Sequence, residues 1–336
     1  MQSPPSAHRA AIPSTAEPGA RTALQLATLR ESVERRLAAV LPEDDGQGVA
    51  AAMHAAVLAP GKRLRPLLVL ATGQALGAKL PALLDLACAI EMVHCASLVL
   101  DDMPAMDDAR LRRGQPTVHL RFGEDVAMLA AVALVSEACR LAARAPGLRP
   151  GVRIRIVEVL CETIGPAGLV HGQYRDLHET AAGARSASLA TDVNEQKTGL
   201  LFASAMEVAA RAAGAPRSVA PLRRAALCLG QAFQLRDDLD DLGAGDGPVT
   251  EDLLQDTGKA TLLAMAGPAA VRAAIDAQVA QALQHLRCLP PGGAALCLQL
   301  LRIAFPEAAA LRVQPAEAEL HWHAAPPSVR QVRASA

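Results

Sequence analysis

The sequence predicts an all-α protein, an antiparallel bundle of long helices, and three observations carry that expectation. Apolar residues make up 51% of the 336, yet only 2% are aromatic. Alanine and leucine dominate, while β-branched residues are scattered rather than gathered in strand-length runs, so the chain is written in strong helix formers. Short breakers recur at intervals that suit helices of roughly 15 to 25 residues.

Taken in order, residues 1–21 are rich in Pro, Ser and Ala without periodicity and read as a disordered arm. From Ala23 onward Leu24, Leu26, Leu29, Val33, Leu37 and Val40 recur at turn-like spacing. Breakers follow at Pro60-Gly61, Gly77, Gly114-Gln115-Pro116, Pro146-Gly147, Pro150-Gly151, Gly165-Pro166, Gly183, Gly214-Ala215-Pro216, Gly243 to Pro248, Gly267-Pro268 and Pro290 to Gly293. No long linker divides the chain, so 22–312 reads as one domain. Residues 313–336 lose the apolar rhythm and read as a peripheral tail.

Formal net charge is -1, which gives no global field to attract nucleic acid or an anionic membrane. The apolar stretch without a charge from Cys288 to Leu301 is interrupted by Pro290, Pro291, Gly292 and Gly293. A bilayer span takes about 20 apolar residues, so no membrane span is expected. The N-terminus lacks the apolar core of a secretory signal. Seven cysteines, at 88, 95, 139, 161, 228, 288 and 297, form no CxxC pair. They read as reduced, buried thiols of a cytoplasmic protein.

Chemistry concentrates in two acidic clusters. VLDDMPAMDDARLRRG at 99–114 places Asp101, Asp102 and Asp107 behind an apolar run. Six residues turn about 240° around a straight helix, so Asp101 and Asp107 would point apart unless the chain breaks. Pro104 disfavours helical geometry at Met103 and predicts that break. In GQAFQLRDDLDDLG at 230–243, Asp237 and Asp241 lie one turn apart on one helix face, with Asp238 beside them. One such cluster is ordinarily a solvated helix end. Two of them, each closing an apolar helix, make a container for Mg²⁺, which binds few carboxylates and completes its shell with phosphate oxygens and water. Lys62, Arg63 and Arg65 in GKRLRP, Arg112 and Arg113, Lys197 in EQKTGLLF and Lys259 in DTGKATL supply cations suited to phosphate. A charged head beside a greasy interior is the signature of a prenyl diphosphate site.

These segments, with EMVHCASLVLDD at 91–102 and GLVHGQYRDL at 168–177, resemble the trans-isoprenyl diphosphate synthases. They are most similar to the geranylgeranyl diphosphate synthases of bacterial carotenoid pathways. The resemblance covers nearly the whole domain in the family's order and implies the isoprenoid synthase fold around a central hydrophobic cavity. It implies that Asp101, Asp102, Asp107, Asp237, Asp238 and Asp241 hold three Mg²⁺ on the allylic diphosphate (dimethylallyl, geranyl or farnesyl), helped by Arg112, Lys197 and Lys259. Lys62, Arg65, His94 and Arg113 would bind isopentenyl diphosphate, and Thr198 and Gln234, beside Lys197, would face the reacting carbons. Gln173 and Asp176 are lining candidates, while Tyr174 reads equally as packing, and a homodimer is implied. Ala96 and Ser97, five and four residues before Asp101, are small where enzymes that stop at fifteen carbons commonly carry an aromatic. The expected product is therefore the twenty-carbon diphosphate, with the pocket floor near Val126 to Leu134.

Pro60 stands where many members have a first glycine, and Trp322 in the tail has no assigned counterpart. Another all-α terpenoid enzyme is disfavoured by the basic isopentenyl site and, for a cyclase, by the scarcity of rings. A non-catalytic regulatory subunit is disfavoured because both acidic motifs are intact.

Overall fold

The computed structural model describes residues 18–44, 46–179, 193, 195–243, 262–290 and 293–312. The terminal segments 1–17 and 313–336, Gly183 and Lys259 lie outside them. Helices form nearly everything described: α1 (Pro18–Val40), α2 (Gly48–Val57), α3 (Leu64–Ala75), α4 (Leu80–Asp101), α5 (Val118–Phe122), α6 (Glu124–Arg144), α7 (Pro150–Ile164), α8 (Leu169–Glu179), α9 (Leu200–Ala212), α10 (Pro216–Gly243), α11 (Leu262–Leu286), α12 (Ala295–Ala304) and α13 (Ala309–Arg312). α1 begins at Pro18, inside the stretch read as an arm. Gly267, expected to separate two helices, does so: its positive φ of 79° is non-helical and divides α11 at a kink just before Pro268.

One small sheet interrupts the helices. Strands β1 (Leu111–Arg112) and β2 (Gln115–Pro116) pair antiparallel across Arg113-Gly114. Both turn residues have positive φ, 55° and 75°, the combination a two-residue type I′ hairpin demands. The Gly-Gln-Pro breaker thus becomes a hairpin that displays two arginines in succession.

At the centre, α4 packs against α3, α6 and α9, and α10 against α9 and α11. Leu83, Leu86, Ile90 and Met92 of α4 are fully enclosed; truncating any of them would cost about 2–5 kcal/mol. Contrary to the sequence expectation, two helices, Leu80–Asp101 and Glu124–Arg144, are long and apolar enough to cross a membrane. For α4 the reason is its place in the core: its buried Asp85 and Glu91 pair with Arg36 and Arg63, which satisfies charges that its mean hydropathy hides. The cysteines are all free; Cys88, Cys95 and Cys297 are buried as expected, whereas Cys161 is exposed.

Candidate active site

α4 ends at Asp101, and the chain breaks as the Pro104 signal requires. The Asp107 N–H donates to the Asp101 carbonyl at 2.9 Å, and the Asp108 N–H to that of Met103 at 3.0 Å. Asp108 takes a left-handed φ of 49°. The turn therefore folds Asp107 back over Asp101, undoing the angular separation a straight helix would impose. Asp102, expected to act beside them, is placed differently. It is buried, and its Oδ1 accepts from Arg112 Nε at 3.0 Å and Nη2 at 2.6 Å. The hairpin turns Arg112 back onto the helix end that precedes it.

Lys197 and Thr198 stand on a single π-helical turn, Glu195–Gly199, leading into α9. Such turns carry one extra residue per loop and re-aim side chains at functional sites. Two glycines seat it. A Cβ on Gly172 of α8 would lie 2.7 Å from the Lys197 nitrogen, and one on Gly230 of α10 would lie 2.6 Å from the Gly199 Cα. Backbone therefore meets backbone on both sides of the turn.

From this turn the two acidic motifs are joined. Lys197 Nζ donates to Asp176 Oδ2 at 3.0 Å and lies within electrostatic reach of Asp101 and Asp107. Thr198 Oγ1 donates to Gln234 Oε1 at 3.3 Å, and Gln234 Nε2 donates to Asp238 Oδ1 at 3.1 Å. Hydrogen bonds thus tie the π turn to α8 and α10, while Lys197 acts on the end of α4 through space. Gln173 Nε2 contacts the Met106 sulfur at 3.7 Å, linking α8 to the first motif. Asp241 lies on α10 as its spacing predicts; its side chain, like Lys259, falls outside the described residues.

The basic loop closes the other side. Arg63 adopts a left-handed φ of 51° at the start of α3, unusual for a residue with a side chain. Its buried guanidinium donates from Nη1 to Glu91 Oε1 at 2.7 Å and from Nη2 to the Ala59 carbonyl at 2.8 Å. With Arg63 turned inward, Lys62 and Arg65 come within electrostatic range of Asp237. Arg65 lies 4.6 Å from the centre of the Phe202 ring, and its Nη1 is 3.3 Å from His94 Nε2. Arg113 acts on both through space. By its sequence context Arg63 is one more phosphate-facing cation; Glu91 turns it inward instead. A lone carboxylate inside an apolar helix is a signal that a partner exists.

Charge states follow from these surroundings. Burial lifts the carboxyls of Asp101 and Asp237 to about 6, Lys197 opposing it in the first and Arg236 in the second. Burial raises Asp102 as well, against its bond to Arg112. Burial also works against the Lys197 ammonium, but Asp101, Asp176 and Asp107 outweigh it and hold its pKa above the ordinary lysine value. Burial and the neighbouring Arg65 push His94 well down, so a neutral imidazole accepts from Arg65. Arg65 itself falls to about 10 through burial, still a cation at neutral pH.

Among the described residues no three His, Cys, Asp or Glu side chains converge on one point. The donors at the ends of α4 and α10 are carboxylate oxygens, which suit magnesium completed by phosphate and water rather than a transition metal enclosed by protein.

Residues 47–285 match the polyprenyl synthetase family. The chain belongs to that family. It is 48% identical to a geranylgeranyl diphosphate synthase of Pantoea ananas over 262 residues, 77% of this chain and 85% of that one. Its fold is similar to that of an apo FPP/GFPP synthase from Zymomonas mobilis, with a TM-score of 0.75, 32% identity and coverage of 87% of this chain and all of the other. A geranyltransferase from Helicobacter pylori, solved with magnesium and isoprenyl diphosphate, gives a TM-score of 0.74 at 25% identity, covering 87% of this polyprenyl synthetase and 99% of its counterpart. The protein is a prenyltransferase with the all-α isoprenoid synthase fold.

Proposed function

We propose that this polyprenyl synthetase condenses isopentenyl diphosphate head-to-tail with dimethylallyl, geranyl and farnesyl diphosphates to release geranylgeranyl diphosphate and inorganic diphosphate. The observation that carries the reading is the turn at Lys197 and Thr198: Lys197 lies within electrostatic reach of Asp101, and Thr198 is hydrogen-bonded to Gln234 and through it to Asp238, so both acidic ends address one turn. Asp101, Asp107, Asp237 and Asp238, with Asp241, are the residues that would hold magnesium, three ions in all, whose charge would polarise the allylic diphosphate. Asp102 serves the site through Arg112, as its counter-ion. Arg112, Lys197 and Lys259 bind the allylic diphosphate and take up negative charge as its C–O bond breaks. Lys62, Arg65, His94 and Arg113 bind isopentenyl diphosphate so that its double bond faces the allylic carbon, where the new C–C bond forms. The oxygens of Thr198 and Gln234 lie where positive charge develops on carbon. The released diphosphate takes a proton from the isopentenyl carbon, which restores the double bond. The apolar walls keep water from the allylic cation.

Product length rests on Ala96. It is buried five residues before Asp101 and leaves the tail room that an aromatic would fill. The floor then falls to α6, whose Ala127, Ala130, Ala131 and Leu134 are buried where that helix packs on α4. On the other face of α6, Met128, Leu129 and Val132 stand 49%, 56% and 68% exposed. An apolar stripe of this kind suits a homodimer interface, and Val132→Glu should shift the sedimentation of the purified protein to the monomer. Seven unpaired thiols accord with a cytoplasmic location, and a carotenoid pathway is the use that the sequence resemblance implies for the product.

The test is incubation with Mg²⁺, isopentenyl diphosphate and each allylic primer, followed by dephosphorylation and sizing of the alcohols. A twenty-carbon alcohol that vanishes with EDTA is expected. A fifteen- or twenty-five-carbon product would overturn the account of Ala96. Folded protein that condenses nothing would overturn the synthase reading in favour of a regulatory subunit.

A further inference from the structure

Arg236 directly precedes the second acidic motif and has no part in the scheme above. Its side chain is fixed from several sides. The guanidinium carbon lies 4.6 Å from the Phe233 ring centre and 5.9 Å from that of Phe305. Nη1 donates to the carbonyl of Ala304, the last residue of α12. A helix C-terminus carries unpaired carbonyls and partial negative charge, so a cation suits it. On its remaining side Nη2 donates to Asp237 Oδ1 at 2.9 Å, and Nε lies 3.5 Å from Asp240 Oδ2. Phe233, Phe305 and the helix end thus leave the guanidinium little freedom, and the carboxylate it grips inherits that restraint.

We propose that Arg236 is a positioning residue that fixes the Asp237 carboxylate by one oxygen, leaves the other for a cation, and ties the second acidic motif to the end of α12. The proposal rests on the reading of Asp237 as a metal-holding residue. A carboxylate held by an outer hydrogen bond binds its ion with less reorganisation, and loss of such a partner typically lowers metal affinity about 10- to 100-fold. Arg236 also offsets repulsion between Asp237, its neighbour in the chain, and Asp240, one helical turn further on.

The test measures the rise in Tm of the full chain as Mg²⁺ is added with inorganic diphosphate, without turnover, in the parent, Arg236→Gln, Arg236→Lys and Asp237→Asn proteins. Arg236→Gln should need at least about tenfold more Mg²⁺ for half the shift, with KM for isopentenyl diphosphate unchanged within twofold. Arg236→Lys, which keeps the charge but not the fork, should fall between. A Mg²⁺ requirement unchanged in Arg236→Gln, while Asp237→Asn raises it, overturns this proposal alone. A requirement unchanged in Asp237→Asn as well overturns the metal reading on which it stands. If Arg236→Gln does not fold, Arg236→Lys decides: a Mg²⁺ midpoint equal to the parent's contradicts the proposal, and a raised midpoint with unchanged isopentenyl KM supports it.

Discussion

The two aspartate clusters look alike as strings of residues and are built in opposite ways. The first is made by breaking a helix: α4 stops at Asp101, the chain turns, and Asp107 is carried back by a hydrogen bond to the Asp101 carbonyl. The second is made by not breaking one, since α10 runs through Asp237, Asp238 and Asp241 to Gly243. The broken end also folds one carboxylate, Asp102, inward onto Arg112, whereas the continuous helix leans on Gln234 and Arg236. The difference shows that identical residue types in a motif need not share surroundings. Where the backbone turns, neighbours in sequence part company. Where it stays helical, spacing alone assigns the face.

The largest expected effect separates two neighbours in the first cluster. Asp101→Asn should lower kcat/KM by about 10²–10³-fold, the scale of losing one electrostatic contact in a transition state. Asp102→Asn should lower it by about tenfold and also destabilise the protein by about 1–3 kcal/mol, because Arg112 loses its charged acceptor. Steady-state kinetics with thermal unfolding checks both, and equal kinetic losses would return Asp102 to the metal-holding set.

Next in size is a pH effect that the clusters should share. Asp101 and Asp237 both have pKa values raised to about 6 by burial. Below that pH they take up protons and no longer attract a cation, while above it they are ionised. At pH 5.5 each is only about a quarter ionised, so the Mg²⁺ needed for half-maximal activity should rise about fourfold per carboxylate relative to pH 7.5. A Mg²⁺ titration at the two values decides it; a flat response would mean the carboxylates titrate lower.

The smallest effect concerns the seam between the clusters. Gly230→Ala would drive a methyl against the Gly199 Cα, backbone that cannot move aside. It should cost about 1–3 kcal/mol as overpacking and displace Thr198 from Gln234. A Tm unchanged from the parent would show that the π turn tolerates a wider gap.

Much of the site was legible because its signals are local. Helical spacing placed Asp237, Asp238 and Asp241, Pro104 announced the break, and GKRLRP and EQKTG marked the cations. What escaped depends on distant partners. Arg63 reads as a phosphate-facing cation until Glu91, on another helix, turns it inward. Gly172 and Gly230 are plain helix residues until the π turn is packed between them. The hairpin at 111–116 hid inside a breaker because two strand residues on each side give no period to read.

The claim beneath all of this is that two differently built clusters form one catalytic unit. A double-mutant cycle tests it most directly: single-turnover rates for Asp101→Asn, Asp237→Asn and the double variant, at saturating Mg²⁺ and with enzyme in excess. Groups that act as a unit are strongly non-additive, so the double variant should be slower than the worse single variant by no more than a few-fold. Losses that multiply would contradict the account and make the two aspartates independent contributors.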